Sequence, residues 1–108
     1  MNWSKDIESI LSMGEGLHEF GINNWALSKE QALNALCKFK ELKIPILGGD
    51  VYEKKCCSYE ANYDNWYCNQ NDSEELNEFI ARSIIVAQKY IENYKSNKEI
   101  YFVIVPKL

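Results

Sequence analysis

Thiol catalysis needs a thiolate and an imidazole within hydrogen-bond reach, and a third group that orients the base. The chain has one imidazole, His18, in a stretch flanked by Gly16 and Gly21, and four thiols, Cys37, Cys56, Cys57 and Cys68. None of the cysteines stands in a recognisable nucleophile setting, so His18 reads as a surface or capping residue. Paired carboxylates are the second option. Asp50 and Asp64 lie near predicted strand ends and would serve if burial or mutual repulsion drove their pKa values apart. Asp50 follows two glycines, however, which is a common setting for a turn residue. Gly48-Gly49-Asp50 is not a phosphate loop, which needs a closing Gly-Lys-Ser/Thr or three spaced glycines. Two glycines here fit a bulge or a close approach by other backbone. With no Cys-x-x-Cys pair and a single histidine, the chain lacks a ligand set for structural zinc. The residues thus offer no catalytic group, no metal site and no cofactor site.

Aromatic and acidic side chains are concentrated instead. Tyr52, Tyr59, Tyr63, Trp66 and Tyr67 fall within sixteen residues. Tyrosine and tryptophan join an apolar body to a polar tip, and both are enriched at protein interfaces. From Asp50 to Glu78 eight acids face two lysines, a net charge of −6, whereas the remainder carries +2. An acidic stretch attracts a basic partner, and a basic nucleic-acid footprint is absent. Tyr52, Glu53, Tyr59, Tyr63, Asp64, Trp66 and Tyr67 are therefore the candidate partner-binding residues. Some of these rings, Trp66 above all, are expected in the core and the others as exposed anchors.

The elements that must position them follow from periodicity. Ser4 caps a first helix with Ile7, Ile10 and Leu11 on one face, ended by Gly14 and Gly16. Leu17 to Asn24 reads as an irregular connection. Ser28 and Gln31 form a capping box for a helix from Lys29 to about Leu42. Its stripe is Leu33, Leu36, Cys37 and Lys40, flanked by Ala32 and Phe39, which makes Cys37 a small core residue. Ile44 to Leu47 is a short strand, Gly48-Gly49-Asp50 a turn or bulge, and extended structure resumes at Val51. Cys56 and Cys57, as strand neighbours, would point to opposite faces. Tyr63 to Cys68 is a strand with Asp64, Trp66 and Cys68 on one face and Asn65 and Tyr67 on the other. Asp72, with Glu75, caps a helix of about six turns. Its stripe is Leu76, Ile80, Ser83, Ile84, Ala87, Ile91 and Tyr94, widened by Phe79, Val86 and Tyr90. Ile100 to Val105 is apolar on both faces, as expected of a strand covered on each side or central in a sheet, and Pro106 stops it.

Together these predict an α+β fold of two layers: a small, mostly antiparallel sheet of three to five strands backed by helices. The 108 residues suit one domain, 1–108, able to bury a core without staples. Apolar residues make up 46% of the chain, which excludes wholesale disorder. Lys5, Asp6 and Glu8 interrupt the N-terminal apolar positions, so no secretory leader is expected. The longest apolar run, Ile100 to Val105, is too short to span a bilayer. A cytoplasmic protein with reduced cysteines is expected.

Asn23-Asn24-Trp25-Ala26-Leu27, then Ile44-Pro45-Ile46-Leu47-Gly48-Gly49-Asp50-Val51-Tyr52 and Tyr63-Asp64-Asn65-Trp66-Tyr67-Cys68, resemble the immunity protein 40 family of bacterial polymorphic toxin systems. The resemblance runs from about Gly21 to Val105. It implies a small non-enzymatic protein that neutralises a cognate protein toxin by binding it. It brings no functional residues with it, so the candidate contacts rest on the residue chemistry above. The alternative is a small-molecule-binding or regulatory α+β module with its aromatics lining an apolar pocket. A third class, an enzyme using Asp50 and Asp64, predicts two carboxyl groups facing each other in a cleft.

Overall fold

The computed structural model describes residues 4–107, so the outermost bounds expected for the domain, 1 and 108, lie outside the described residues. The Ser4 hydroxyl accepts the Ile7 N–H at 3.3 Å and starts helix α1, Lys5–Leu11, which buries Ile7, Ile10 and Leu11. This helix ends before the glycines, at Ser12, whose N–H returns to the Glu8 carbonyl. The segment read as irregular is pinned at both ends. Two short strands, β1 (Glu15–Gly16) and β2 (Trp25–Ala26), pair antiparallel around a 3-10 turn, His18–Phe20. Gly21 closes that turn at φ +81°, a conformation glycine adopts without steric cost. Buried Asn24 ties this ribbon to the rest of the fold by donating to the Ile104 carbonyl at 3.0 Å.

Helix α2, Lys29–Glu41, opens on the expected capping box. The Ser28 hydroxyl accepts the Gln31 N–H at 3.2 Å, and the Gln31 side chain accepts the Ser28 N–H at 2.9 Å. Its inner face differs from the expected stripe. Ala32, Ala35, Leu36 and Phe39 are buried, whereas Cys37 and Lys40 are exposed and Leu33 is half-buried. All four inward positions keep i, i+3, i+4, i+7 spacing. Two of them are alanines, which let helix backbones approach closely and which weigh little in a hydrophobicity pattern.

The main sheet has three antiparallel strands, β3 (Ile46–Lys54), β4 (Tyr59–Tyr67) and β5 (Ile100–Pro106), in the order β4-β3-β5. Gly48-Gly49-Asp50 lies inside β3 and is not a turn. A Cβ on Gly48 would come closer than 3.0 Å to the Trp66 carbonyl oxygen, and one on Gly49 closer than 3.0 Å to the Trp66 ring. The close approach anticipated at these glycines is real, and its partner is the neighbouring strand. Strand β4 also starts earlier than expected, at Tyr59, and takes in the polar Glu60–Asn62 stretch.

Strand β5 is not central, but it is covered on both faces and along its outer edge. Phe102 and Ile104 join the helix-side core, while Val103 packs with Leu17, Ala26 and Tyr59 on the other side. Leu27 bridges the free edge, donating to the Phe102 carbonyl at 2.8 Å and accepting its N–H at 2.7 Å. Pro106, expected to stop this strand, is its buried last residue.

Helix α3, Leu76–Asn93, is 18 residues long, about five turns and one short of the expectation. Its cap sits three residues later than predicted, with the Glu75 N–H donating to Glu78 Oε1 at 3.1 Å. Leu76 therefore falls in the exposed first turn, and the buried stripe runs Phe79, Ile80, Ser83, Ile84, Ala87, Ile91. Ser83 fixes α3 to the start of β3. Its hydroxyl accepts the Ile46 N–H at 3.0 Å and donates to the Ile80 carbonyl at 3.1 Å. Helices thus cover one face of the sheet and the β1–β2 ribbon covers part of the other. Among the described residues no helix is long and apolar enough to cross a membrane.

Candidate functional site

The β3–β4 hairpin carries every candidate contact residue. Its pairing breaks between Asp50↔Asn65 and Tyr52↔Ala61. Asn62, Tyr63 and Asp64 therefore stand against Val51 alone, a bulge in the outer strand. Tyr63 takes φ +70°, a left-handed conformation that costs a non-glycine residue about 1–2 kcal/mol. The bulge is built to hold it there. The Asp64 N–H donates to Asn62 Oδ1 at 2.9 Å, and Asn65 Nδ2 donates to the Tyr63 carbonyl at 3.1 Å. From behind, Tyr94 at the end of α3 accepts from Asn62 Nδ2 at 2.8 Å and donates its hydroxyl proton to Asp64 Oδ2 at 2.6 Å. Burial first, and then the Asp64 carboxylate, push the Tyr94 hydroxyl pKa upward, so it remains a donor. The outcome is a tyrosine held out from the sheet, with its ring 87% exposed. Strain held by specific bonds around one exposed aromatic marks a functional candidate.

Behind the bulge the aromatics form a packed series. Trp66 stacks on Tyr90 at 4.8 Å, Tyr90 lies 5.8 Å from Tyr94, and Tyr94 meets Phe102 edge-on at 5.7 Å. Trp66 is 7% exposed and belongs to the core. Tyr59 is also buried, and its hydroxyl donates to the Glu15 carboxylate. Its burial, chiefly, and then Glu15 raise the Tyr59 pKa. These two candidate contact residues are therefore core residues. Tyr52 is half-buried; desolvation and then the nearby Asp50 charge raise its pKa. Tyr67, at the far end of β4, is 76% exposed.

Of the remaining candidates, the structure places Glu53 and Tyr63 in one shallow depression along β4 and Tyr67 in a second, while Tyr52 and Asp64 line neither. Glu53, Lys55, Glu60, Asn62 and Tyr63 line the first, nearer the hairpin tip. Gly48, Asp50, Asn65 and Tyr67 line part of the second. Glu53 and Glu60 are direct cross-strand partners, and Lys55 reaches Glu53 at 3.2 Å. Like charges placed opposite each other destabilise a sheet, so this pair favours arrival of a positive group. Glu60, Asn65 and Asp50 were not among the predicted contacts. Period-two alternation with buried Trp66 and Val51 was the available signal for the last two.

The carboxylates do not form an acid–base pair. Asp64 is held by Tyr94 on the helix side, whereas Asp50 alternates with buried Val51 and lies beside Tyr52 on the opposite face. Desolvation alone raises the Asp50 pKa, with no contribution from Asp64. His18 bonds Asn23 Oδ1 at 3.0 Å and sits edge-on to Trp25, 4.9 Å away. Among the described residues no three His, Cys, Asp or Glu side chains gather where they would hold a metal ion. An apolar groove does exist between α2 and α3, lined by Leu33, Leu36, Cys37, Ile84 and Ile85 among others, but none of the tyrosines borders it.

After β4 the chain is clasped by Arg82. Its guanidinium donates to both Glu74 carboxylate oxygens at 2.7 Å, to the Asn69 carbonyl at 2.6 Å and to Cys68 Sγ at 3.1 Å. Bonding from Arg82, then from the Asn71 backbone, lowers the Glu74 pKa from 4.5 to about 2. A carboxylate depressed on folding adds stability above its unfolded pKa and loses it as pH falls through the folded one. The stability advantage of the native chain over Glu74→Gln is therefore expected to be constant above pH ~5, to shrink as pH falls through ~2 and to be lost by pH ~1. Thermal unfolding of both chains across that range checks this.

Among the described residues the architecture is that of a two-layer α+β protein with a three-stranded antiparallel sheet, a two-stranded ribbon and three α-helices. The chain belongs to the Immunity protein 40 family, Imm40, whose family model matches residues 16–106. No curated protein and no solved structure matches it.

Proposed function

We propose that this chain is a cytoplasmic immunity protein, folded as one domain, that binds a cognate protein toxin through the outer edge of its β3–β4 hairpin and blocks it without catalysis. One observation carries the reading: Tyr63 and Tyr67 are the two most exposed large hydrophobic side chains described, and both lie on β4. Aromatic anchors supply much of the energy of protein interfaces. The surrounding carboxylates, Asp50, Glu53 and Glu60, would steer a basic toxin surface and set register. Membership of an immunity-protein family supports a toxin as the partner. Tyr52 and Asp64 act from the second row, Tyr52 beside Asp50 and Asp64 by holding the bulge. Tyr59 and Trp66 support the sheet from inside.

The test is co-expression with the toxin encoded beside the gene for this chain. Protection of the cells and a complex that survives gel filtration are expected. Cell death at full expression of a folded chain, with no complex, overturns the proposal.

A further inference from the structure

Four residues, Lys55–Ser58, join β3 to β4, closed by the Lys55 N–H donating to the Ser58 carbonyl at 2.8 Å and its return bond at 3.4 Å. Cys56 and Cys57 occupy the two middle positions of that turn. As strand neighbours their side chains would diverge. The turn instead brings the two Sγ atoms to 3.3 Å, with both residues exposed. Two converging, accessible thiols form a chelate, and their spacing selects what they can hold.

A direct disulfide fits poorly. Its half-cystines prefer Cα atoms about 4.4–6.8 Å apart, whereas neighbours across a trans peptide are fixed at about 3.8 Å. A bridging atom has no such constraint. With thiolate bonds of about 2.3 Å, a linear two-coordinate ion needs its sulfurs roughly 4.6 Å apart. A centre whose bonds lie near a right angle needs roughly 3.3 Å, at the same bond length. The observed separation matches the second.

We propose that Cys56 and Cys57 form a dithiol site for trivalent arsenicals: soft, pyramidal centres with bonds near a right angle and a preference for thiolate. With a hydrated aryl arsenoxide, two As–O bonds break and two As–S bonds form. Each thiol proton leaves with a hydroxide, giving two waters. Arsenic keeps its oxidation state, and no oxidant or reductant takes part. The first As–S bond makes the second intramolecular, which multiplies affinity over a single thiol by roughly 100-fold or more. The other two cysteines lack this advantage. Cys37 is exposed at the groove between α2 and α3, whose lining holds no second thiol, and Cys68 is 3% exposed beneath the Arg82 guanidinium.

The test uses the full chain, one equivalent of phenylarsine oxide and intact mass measurement, without any toxin. One adduct per chain is expected, stable to excess monothiol such as 2-mercaptoethanol and removed by the dithiol 2,3-dimercaptopropanol. C56S and C57S are each expected to lose the monothiol-resistant adduct, with affinity down roughly 100-fold, while C37S keeps it. Both substitutions lie in an exposed turn, and circular dichroism checks that the variants fold. An adduct that monothiol strips from the native chain, one that survives in C56S/C57S, or no adduct at all overturns the proposal.

Discussion

Replacing Tyr63 and Tyr67 together with alanine is expected to weaken binding to the cognate toxin by two to three orders of magnitude. Central aromatic anchors cost about 2 kcal/mol or more each when truncated, and about 1.4 kcal/mol is tenfold in affinity. The fold should not register the change to the same degree. Both rings are exposed, at 87% and 76%, and such surface substitutions stay within about 0.5 kcal/mol. Titration calorimetry against the toxin, beside thermal unfolding of the free variant, separates the two effects. Tyr63→Gly is the matching control, because glycine accepts the backbone conformation of the bulge while deleting the ring. An unaltered affinity in the double variant would remove these two residues from the interface. A complex lost along with the native fold would show instead that the rings serve stability.

The second large effect is inside the sheet. Gly49→Ala adds a methyl group where the Trp66 ring and the Val103 carbonyl oxygen already lie closer than 3.0 Å. Neither gives way cheaply, since one is a ring stacked on Tyr90 and the other belongs to a paired strand. Overpacking of this kind costs about 1–3 kcal/mol and occasionally more, and the rigid surroundings place this site at or above the upper end. At roughly 4 °C per kcal/mol for a chain of this size, the melting temperature should fall by roughly 10 °C or more. Trp66→Leu in the Gly49→Ala background should recover part of that loss, because it vacates the contested space. A double-mutant cycle measures the coupling, and a melting temperature unmoved by Gly49→Ala would contradict the close approach.

Much of this architecture was legible from residue spacing, and the exceptions have physical causes. The Ser28–Gln31 capping box and the Ile80-Ser83-Ile84-Ala87-Ile91 stripe each combine a local rule with a packing rule, and both stand. Asp72-x-x-Glu75 and Glu75-x-x-Glu78 satisfy the same capping spacing. Only the Arg82 clasp on Glu74 and the exposed position of Leu76 decide between them, and neither is local. On α2 the alanines of the true inner face are small, so Leu33 and Cys37 drew the expected stripe one step aside. Gly48-Gly49 admits a turn, a bulge or a close approach when read from one strand alone, and the ring that decides for the close approach comes from a residue seventeen positions later.

The interaction surface was harder to read. Alternation correctly separates Trp66 and Cys68 from Asn65 and Tyr67. It survives Asn62–Asp64, where three residues stand against one, because two extra residues leave the parity of faces unchanged: Asn62 and Asp64 both meet Tyr94, on the side of Trp66. What spacing does not show is the left-handed conformation of Tyr63, which Asn62 and Asn65 hold locally and Tyr94, thirty-one residues away, holds from behind. The convergence of Cys56 and Cys57 was hidden for a related reason, since the strand rule no longer holds where the chain turns.

The same bulge governs how the outer margin of β4 meets other polypeptides. An unpaired strand edge is a template on which a stray β-segment can zip by main-chain bonding, the first step toward fibrils. Here such a segment would lose its step at Asn62, part-way along the strand, and would meet the acidic side chain of Glu60 before it. The rim thus resists indiscriminate zippering, and a partner must be chosen by what the side chains present.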